Sequence, residues 1–313
     1  MGRLNSEKNI STDNEGKFRE SLFKSDYFAP QSLQEALELL EKYGEDVVVL
    51  AGGTDLLVQY YDRLYEVKNW LDLGRLEILK NINLGKKELT IGAMVSHAQI
   101  EKSQFIQDYF PILSNSAADI GSPQIKNRGT IGGNIVNASP AGDLLPSLMA
   151  YGAMFKLISQ KEEKIVPAVD FFIGPKKTIL GADQLLSQVI LPLPGKHTYG
   201  SWTKIGKRRA LIIATITLAL LMKMDNDDEI IEDISVCLGS VAPTPIQIKE
   251  IKAAMIGKKL QQLNFSQLGQ LVKDKIHPID DIRGTREYRK DVARQIMIKA
   301  LEEVAIKSRR AVK

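Results

Sequence analysis

Two stretches of this chain each carry a glycine pair beside apolar, strand-like residues: Leu50-Ala51-Gly52-Gly53-Thr54-Asp55 and Thr130-Ile131-Gly132-Gly133-Asn134. The first pair follows the run Val47–Leu50, and the second lies within a strand-like run that continues to Asn137. Glycine permits a positive φ and lets backbone N–H groups approach a ligand that a side chain would block. Successive N–H groups in such a turn form an anion-binding concavity. Two such segments in one domain predict a ligand with a diphosphate, held by the main chain rather than by lysines.

The composition indicates a globular protein and excludes several classes of site. Apolar residues make up 44% and charged residues 26% of the 313 residues, which allows two domains with a sizeable core. The net charge of +4 and the 6% aromatic content do not indicate nucleic-acid binding. Cys237 is the one cysteine, which excludes an intrachain disulfide, a Cys₄ zinc site and a self-contained iron–sulfur cluster. We expect Cys237 to be a small buried residue in a protein of the reducing cytoplasm.

Neither the first two dozen residues nor the longest apolar run predicts a membrane segment. The first two dozen residues are polar and mixed in charge, without the apolar core of a signal peptide, and predict a disordered tail. The longest apolar run, Ala210–Met222, is interrupted by Thr215 and Thr217. It is shorter than the roughly 20 residues that a membrane-spanning helix needs.

The first part of the chain predicts a helix, a strand and a glycine turn in that order. Ser32 and Glu35 form the pattern of a capping box, and Gly44 ends the apolar stripe of that helix. The β-branched run Val47–Ala51 predicts a buried strand that leads into the first glycine pair. Further elements are predicted as strands at Asn69–Leu73 and Glu88–Met94, a helix capped by Ser96 and Gln99, and a helix from Pro111 towards Ile120.

A turn-rich loop follows the second glycine segment, and a predicted linker lies further along the chain. The loop 137–143 leads into a predicted helix over 143–150, then a hairpin of Phe155–Ile158 with Lys164–Val169, and a strand at Leu185–Leu191. Pro192-Leu193-Pro194-Gly195-Lys196 has the composition of a linker. We therefore expect a tail at 1–24, one domain at 25–194 and a C-terminal domain at 197–310.

The C-terminal domain predicts a hairpin followed by helices. The strands Leu211–Met224 and Glu229–Val241 are joined by Asp225-Asn226-Asp227-Asp228. Helices are expected at Pro245–Ile256, Ser266–Val272 and Arg286–Ser308. In the last helix a residue every fourth position predicts one buried side: Tyr288, Val292, Ile296, Ala300 and Val304.

The common nucleotide-binding and catalytic motifs are missing. No glycine begins a G-x-G-x-x-G pattern, and no G-x-x-x-x-G-K-[ST] pattern is present. His97, His197 and His277 are scattered, and we expect surface or capping roles for them rather than metal binding or base catalysis. Glycine turns for a diphosphate without a catalytic cluster predict that a bound cofactor carries the chemistry.

Taken together, the motifs resemble one protein family. Ala51-Gly52-Gly53-Thr54-Asp55-Leu56 and the stretch 121–134 (GSPQIKNRGTIGGN) are similar to the FAD-binding medium subunit of molybdenum hydroxylases. The continuation 137–146 (NASPAGDLLP) resembles the purine and N-heterocycle branch more than the carbon monoxide branch. Further matches lie at 171–174, 238–243 and 285–289, so that the resemblance covers about residues 25–310.

The resemblance implies a fold and a role. The expected fold is α+β, a two-lobed PCMH-type FAD-binding domain followed by a C-terminal α+β domain with a small antiparallel sheet and helices. The implied role is electron transfer in a xanthine dehydrogenase-like complex, with FAD as cofactor. Its partners would be a molybdopterin-containing large subunit, a [2Fe–2S] small subunit and an acceptor such as NAD.

The resemblance also implies the residues that bind FAD, and no catalytic or metal-binding residue among them. Two segments would surround the diphosphate: Val49, Leu50, Ala51, Gly52, Gly53, Thr54, Asp55 and Leu56, with Thr130, Ile131, Gly132, Gly133 and Asn134. Ile120 and Leu186 would pack against the isoalloxazine, Asp143 would lie at the ribityl or ring end, and Gly121 is a further expected FAD-binding residue. Lys204 matches a lysine near the flavin, where a cation would favour the anionic reduced form. Alternatively, Lys204 is a solvated strand residue and Asp143 a helix N-cap.

Two details separate branches of the family, and rival functions stay open. Ile120 is aliphatic where animal xanthine dehydrogenases carry an aromatic residue, and the single cysteine excludes the 4-hydroxybenzoyl-CoA reductase branch with its additional cluster. The alternatives are an aldehyde or carbon monoxide dehydrogenase medium subunit, a stand-alone flavin oxidoreductase of the same superfamily, and an assembly protein that no longer binds FAD.

Overall fold

The computed structural model describes residues 25–64, 66–207 and 213–311. Within them the chain folds as the predicted mixture of helices and sheets. The strands are β1 Asp26–Phe28, β2 Val47–Leu50, β3 Asn69–Asp72, β4 Ile82–Leu84, β5 Glu88–Gly92, β6 Met154–Ile158, β7 Glu163–Pro167, β8 Phe172–Gly174, β9 Lys177–Thr178, β10 Leu185–Pro192, β11 Thr198–Ile205, β12 Ile216–Met224, β13 Ile231–Gly239 and β14 Ile246–Gln247.

The helices lie between these strands and after them. They are α1 Leu33–Tyr43, α2 Leu56–Tyr61, α3 His97–Lys102, α4 Gln104–Tyr109, α5 Pro111–Ala118, α6 Pro123–Arg128, α7 Ile131–Asn137, α8 Leu144–Ala150, α9 Ala168–Phe171, α10 Lys249–Met255, α11 Phe265–Lys275 and α12 Arg286–Ala311. The predicted tail at 1–24 and the predicted strand start at Leu211 lie outside the described residues. None of the helices in the described ranges is both long and apolar enough to cross a bilayer.

The first lobe is a small parallel sheet, β1-β3-β2, packed on α1. The predicted cap is present, because Ser32 Oγ accepts the N–H of Glu35 at 3.2 Å. The Glu35 carboxylate accepts the N–H of Gln31 rather than that of Ser32, at 2.8 Å. Gly44 ends the helix with φ +52, a conformation that favours glycine. This lobe therefore carries the predicted helix–strand unit that delivers the first glycine pair.

The second lobe is a five-stranded antiparallel sheet, β4-β5-β10-β6-β7, which shares its core with α3, α4, α5, α7 and α8. The capping box predicted at Ser96 and Gln99 is complete, with both hydrogen bonds formed. Pro111 occupies the first turn of α5, as predicted. The predicted hairpin pairs Phe155 with Val166 at the centre of β6 and β7.

The second glycine segment is the first turn of a helix, so the prediction of a strand-like run was wrong. Thr130 is the N-cap of α7, and its hydroxyl accepts the N–H of Gly133 at 3.0 Å. Ile131 and Ile135 are both fully buried, and residues four apart share one face of a helix. The short apolar run is compatible with the periodicity of a strand and with that of a helix. Packing of Ile131 and Ile135 into the core favours the helix.

The C-terminal part contains an antiparallel sheet, β11-β12-β13-β14, with α10 to α12 on one face. Asp225 Oδ1 closes the predicted β12–β13 turn by accepting the N–H groups of Glu229 and Ile230. The helix predicted from Pro245 begins only at Lys249, because Ile246–Gln247 pairs with β13 as an edge strand.

The other face of this sheet belongs to the core of the second lobe. Ala219 and Cys237 are fully buried there with residues of α5 and α8. Burial raises the pKa of the Cys237 thiol to about 12, so this cysteine is an inert core residue, as predicted. The division of the chain at 194–197 stays a prediction, and one hydrophobic core extends across it.

The long helix α12 buries an arginine at one end of its predicted apolar side. Ile296, Ala300 and Val304 are buried as expected, but Tyr288 is 48% exposed and Arg289 is 1% exposed. Arg289 Nη1 donates to the Ser240 carbonyl at 3.0 Å, and Nη2 is paired with Asp281. Burial disfavours the ionised Asp281, but hydrogen bonds from Arg283 and Arg289 outweigh it and hold the pKa of Asp281 below its usual range.

Replacing Arg289 with leucine removes one member of this buried ion pair. We expect the free energy of unfolding to fall by about 3 kcal/mol, since the Ser240 carbonyl loses its donor and the Asp281 carboxylate loses a buried cation. Arg286→Leu on the exposed side of the same helix is the control, with an expected change within about 0.5 kcal/mol. Urea unfolding curves measure both, and equal losses would contradict a special role of Arg289.

Candidate functional site

A cleft of about 770 Å³ opens between the two lobes and contains most of the predicted site residues. Its volume is within the roughly 300–1,000 Å³ of small-molecule sites. The predicted residues on its lining are Val49, Ala51, Gly52, Gly53, Thr54, Asp55, Leu56, Ile120, Gly121, Thr130, Gly132, Gly133, Asn134, Asp143 and Leu186. Leu50, Ile131 and Lys204 are not on the lining. Ile131 is fully buried in the core, and Lys204 is buried against Asp143.

The first glycine loop presents unpaired backbone donors to the cleft. Gly53 has φ +74, which favours glycine, and the loop leads directly into α2. The N–H groups of Gly52, Gly53, Thr54 and Asp55 donate to no acceptor among the described residues. Four successive free donors on one cleft wall can bind an anionic group.

The second glycine segment does not offer the same donors. The N–H of Ile131 donates to Val95 O and that of Gly132 to Ala93 O, both at 2.9 Å, and the N–H of Gly133 is bound by Thr130. Its backbone is thus fixed against the β5–α3 connection. The sequence predicts equivalent roles for the two segments, but their roles differ. The first segment supplies backbone N–H donors at Gly52–Asp55, here called the donor loop. The second segment forms a closely packed wall.

The glycines serve different purposes in the two segments. A Cβ on Gly52 would lie 2.1 Å from Arg128 O, and one on Gly132 would lie 2.7 Å from Ala93 O. Both glycines are therefore required by contact between backbone segments. A Cβ on Gly133 would lie 3.0 Å from Thr130 Oγ1 and 3.9 Å from the Ala51 Cβ, both on cleft-lining residues. A larger side chain at Gly133 would consequently occupy the cleft.

Asp143 and Lys204 form a buried ion pair at the side of the cleft. Lys204 Nζ lies 2.7 Å from Asp143 Oδ2 and donates to Asp119 O at 2.8 Å. Only 7% of the Lys204 side chain is exposed, so the alternative of a solvated strand residue was wrong. Asp143 precedes α8 but makes no side-chain capping bond. Burial raises the pKa of Asp143 to about 6, although Lys204 acts in the opposite direction.

His97 was predicted to be a surface or capping residue, but it is 4% exposed and lines the cleft. Burial lowers its pKa to about 4, so the imidazole is neutral at pH 7. The capping box at Ser96 is the sequence signal that places His97 in the first turn of α3. His197 and His277 are not on the lining, and His277 is exposed.

The connection between β9 and β10 adds lining residues that the sequence interpretation missed. Leu180 and Gln184 lie in this connection, and Leu185 begins β10 next to Leu186. No local motif marks them, because their place depends on the pairing of β10 with both β5 and β6.

The cleft residues fit a cofactor such as FAD. The donor loop suits a diphosphate, and Ile120 and Leu186 offer an apolar surface for a ring system. Three lining residues also carry a buried polar atom that has no hydrogen-bond partner in the described part of the chain: His97 Nδ1, Asn134 Oδ1 and Asp143 Oδ1. Unpartnered buried polar atoms are uncommon in folded proteins, and their concentration here is typical of a ligand site.

Known proteins match the chain over both of its parts. A family model described as the FAD binding domain in molybdopterin dehydrogenase matches residues 19–194, and one described as the CO dehydrogenase flavoprotein C-terminal domain matches residues 202–304. The chain is 34% identical to the glyceraldehyde dehydrogenase medium chain of Sulfolobus acidocaldarius, over 89% of this chain and 98% of that one. It is 29% identical to the nicotinate dehydrogenase FAD-subunit of Eubacterium barkeri, over 89% and 95% of the two chains.

A solved structure shares the whole fold. A chain of carbon monoxide dehydrogenase from Hydrogenophaga pseudoflava superposes with a TM-score of 0.85 at 30% identity, covering 89% of this chain and 96% of that chain. The predicted α+β architecture is thereby confirmed for both parts of the protein.

Adding a methyl group at Gly52 tests the contact between the lobes. We expect Gly52→Ala to lower the free energy of unfolding by about 2 kcal/mol, because its Cβ would overlap the Arg128 carbonyl. Gly174→Ala is the matched control, since a Cβ there meets nothing closer than 3.8 Å. Equal stability of the two variants in thermal or urea unfolding would show that the backbone contact is not tight.

The raised pKa of Asp143 predicts a dependence of stability on pH. Between the ordinary aspartate value of 3.8 and about 6, the folded chain binds a proton at Asp143 that the unfolded chain has lost. The free energy of unfolding of the wild type, relative to that of Asp143→Asn, is therefore greatest below about pH 4. It should fall by about 3 kcal/mol as the pH rises to 7. Urea unfolding of the FAD-free chains at several pH values measures the difference, and a pH-independent difference would contradict the assignment.

Proposed function

Because this chain belongs to the family of FAD-binding medium subunits of molybdenum hydroxylases, we propose that it is the electron-transfer subunit of such a complex. In this proposal it relays electrons from the [2Fe–2S] clusters of a small subunit to an acceptor such as NAD⁺. The family assignment makes it an FAD-binding oxidoreductase subunit. The electron donor, the acceptor and the residues of the FAD site are the proposed elements.

The observation that carries the proposal is the donor loop at Gly52–Asp55, which lines the same cleft as Gly133. We assign the FAD diphosphate to this loop. The isoalloxazine is assigned to the surface of Ile120 and Leu186, near the buried pair of Asp143 and Lys204. Residues 25–194 would then form the FAD-binding domain and residues 197–310 the C-terminal domain.

The protein's own residues bind and orient the cofactor in this proposal. Bound FAD supplies the redox chemistry that joins one-electron donors to a two-electron acceptor. The aliphatic Ile120 and Leu186 exclude water from the ring surface, and both are largely buried before any ligand binds. Lys204 neutralises Asp143 from behind rather than lining the cleft, so its influence on the flavin would be exerted through Asp143.

The substrate of the complex is proposed to be selected by the molybdopterin-containing large subunit. Relatives of this chain carry names as different as glyceraldehyde, nicotinate and carbon monoxide dehydrogenase, at similar identity. The resemblance of residues 137–146 favours hydroxylation of a purine or another N-heterocycle. An aldehyde or carbon monoxide dehydrogenase is the alternative complex.

A stand-alone flavin oxidoreductase is the rival function. Purification of the chain from its native source distinguishes the two. We expect co-purification of a molybdenum-containing large subunit and an iron–sulfur small subunit, measured by metal analysis of the complex. A chain that purifies alone with FAD and turns over a substrate by itself would favour the rival.

Replacing Gly133 with valine tests the position of the cofactor. The branched side chain would extend towards Ala51 into the cleft. We expect the dissociation constant of FAD to rise at least about 100-fold, while the unfolding free energy of the FAD-free chain changes by less than about 1 kcal/mol. Gly174→Val, at an open position outside the lining, should bind FAD as wild type does. Wild-type affinity in Gly133→Val, measured by flavin fluorescence, would refute the assignment of the cleft.

A further inference from the structure

The cleft assigned to FAD has an unusual charge distribution for a site that takes a diphosphate. Among its described lining residues there is no lysine or arginine, but there are two carboxylates, Asp55 and Asp143. Asp55 carries one of the four N–H groups of the donor loop that have no acceptor among the described residues, so its carboxylate lies beside the place assigned to the phosphates. A bare carboxylate there would repel a dianionic ligand.

Each of the two carboxylates is paired with a lysine that is itself absent from the lining. Asp143 has Lys204 at 2.7 Å in a buried pair. Asp55 has Lys176, whose Nζ lies 3.8 Å from Oδ2, with both side chains 52% exposed. Exposed pairs at this distance stabilise a fold little, because both side chains keep most of their solvation. The pair at Asp55 therefore has little structural purpose of its own.

The backbone places Lys176 firmly, although its side chain is exposed. Lys176 lies between β8 and β9 with φ +55, and its N–H donates to Ala138 O at 3.0 Å. Ala138 is the residue that ends α7, the helix that begins at the second glycine segment. The β8–β9 hairpin is thus attached to one wall of the cleft, and the Lys176 side chain reaches Asp55 on the other wall.

We propose that Lys176 is a positioning residue for the FAD diphosphate, acting through Asp55. Its ammonium group offsets part of the Asp55 charge, so that the carboxylate repels the phosphates less. This inference rests on the proposed location of the FAD site. It goes beyond that proposal by assigning a role to a residue outside the glycine loops and outside the cleft lining.

The test is a double-mutant cycle on the full-length chain stripped of FAD and titrated with FAD. Lys176→Gln should raise the dissociation constant about fivefold at an ionic strength of about 0.05 M, and the effect should shrink towards none at about 0.5 M, where charges are screened within a few ångströms. Asp55→Asn combined with Lys176→Gln should restore the affinity to within about twofold of wild type, because no uncompensated charge remains. Lys177→Gln is the matched control on the same hairpin and should change the affinity less than twofold.

Three outcomes would overturn the role of Lys176. These are wild-type affinity in Lys176→Gln, an equal loss in Lys177→Gln, or a loss that neither salt nor Asp55→Asn removes. A thermal unfolding curve of each FAD-free variant checks that folding is unchanged. If Gly133→Val abolishes FAD binding while Lys176→Gln has no effect, the cleft assignment stands and only this inference fails. If Gly133→Val binds FAD normally, the site itself is wrong.

Discussion

The contact between the Gly52 backbone and the Arg128 carbonyl is the constraint on which the rest of the site depends. Gly52 lies in the loop that follows β2 of the first lobe, and Arg128 ends helix α6 of the second. A hypothetical Cβ 2.1 Å from that oxygen shows that the two backbones meet without room for a side chain. This approach sets the distance between the donor loop and α7, and with it the width of the cleft.

The two carboxylates that line the cleft are paired with lysines that do not line it. The donors that face the ligand space are neutral N–H groups, and the described lining contains carboxylates but no cations. Lys204 behind Asp143, and Lys176 beside Asp55, balance those carboxylates from outside. A lysine in the cleft would itself be desolvated on binding, whereas backbone donors are already fixed by the loop and lose little entropy.

The C-terminal part is more than an appended domain, because its sheet is buried on both faces. Leu218, Leu220 and Val236 pack under the C-terminal helices, while Ala219 and Cys237 enter the core of the second lobe. Alternate residues of the same strands thus serve two cores. Through β11 this sheet also delivers Lys204 to Asp143, which links the position of the C-terminal part to one wall of the cleft.

The sequence by itself determined the local elements and the class of ligand. The caps at Ser32 and Ser96, Pro111 at a helix start, the β12–β13 turn and the glycine loop at Gly53 all depend on interactions within a few residues, so their patterns are visible in one dimension. Tertiary structure alone decided that the second glycine pair opens a helix, that Arg289 replaces Tyr288 in the core, and that His97 and Leu180 line the cleft. It also decided that Lys204 is buried behind Asp143 and that Lys176 reaches Asp55 across 121 positions of chain. These outcomes depend on which residues from distant parts of the chain pack beside each position. Hydrophobic burial and long-range strand pairing determine that packing, and they leave no local pattern in the sequence.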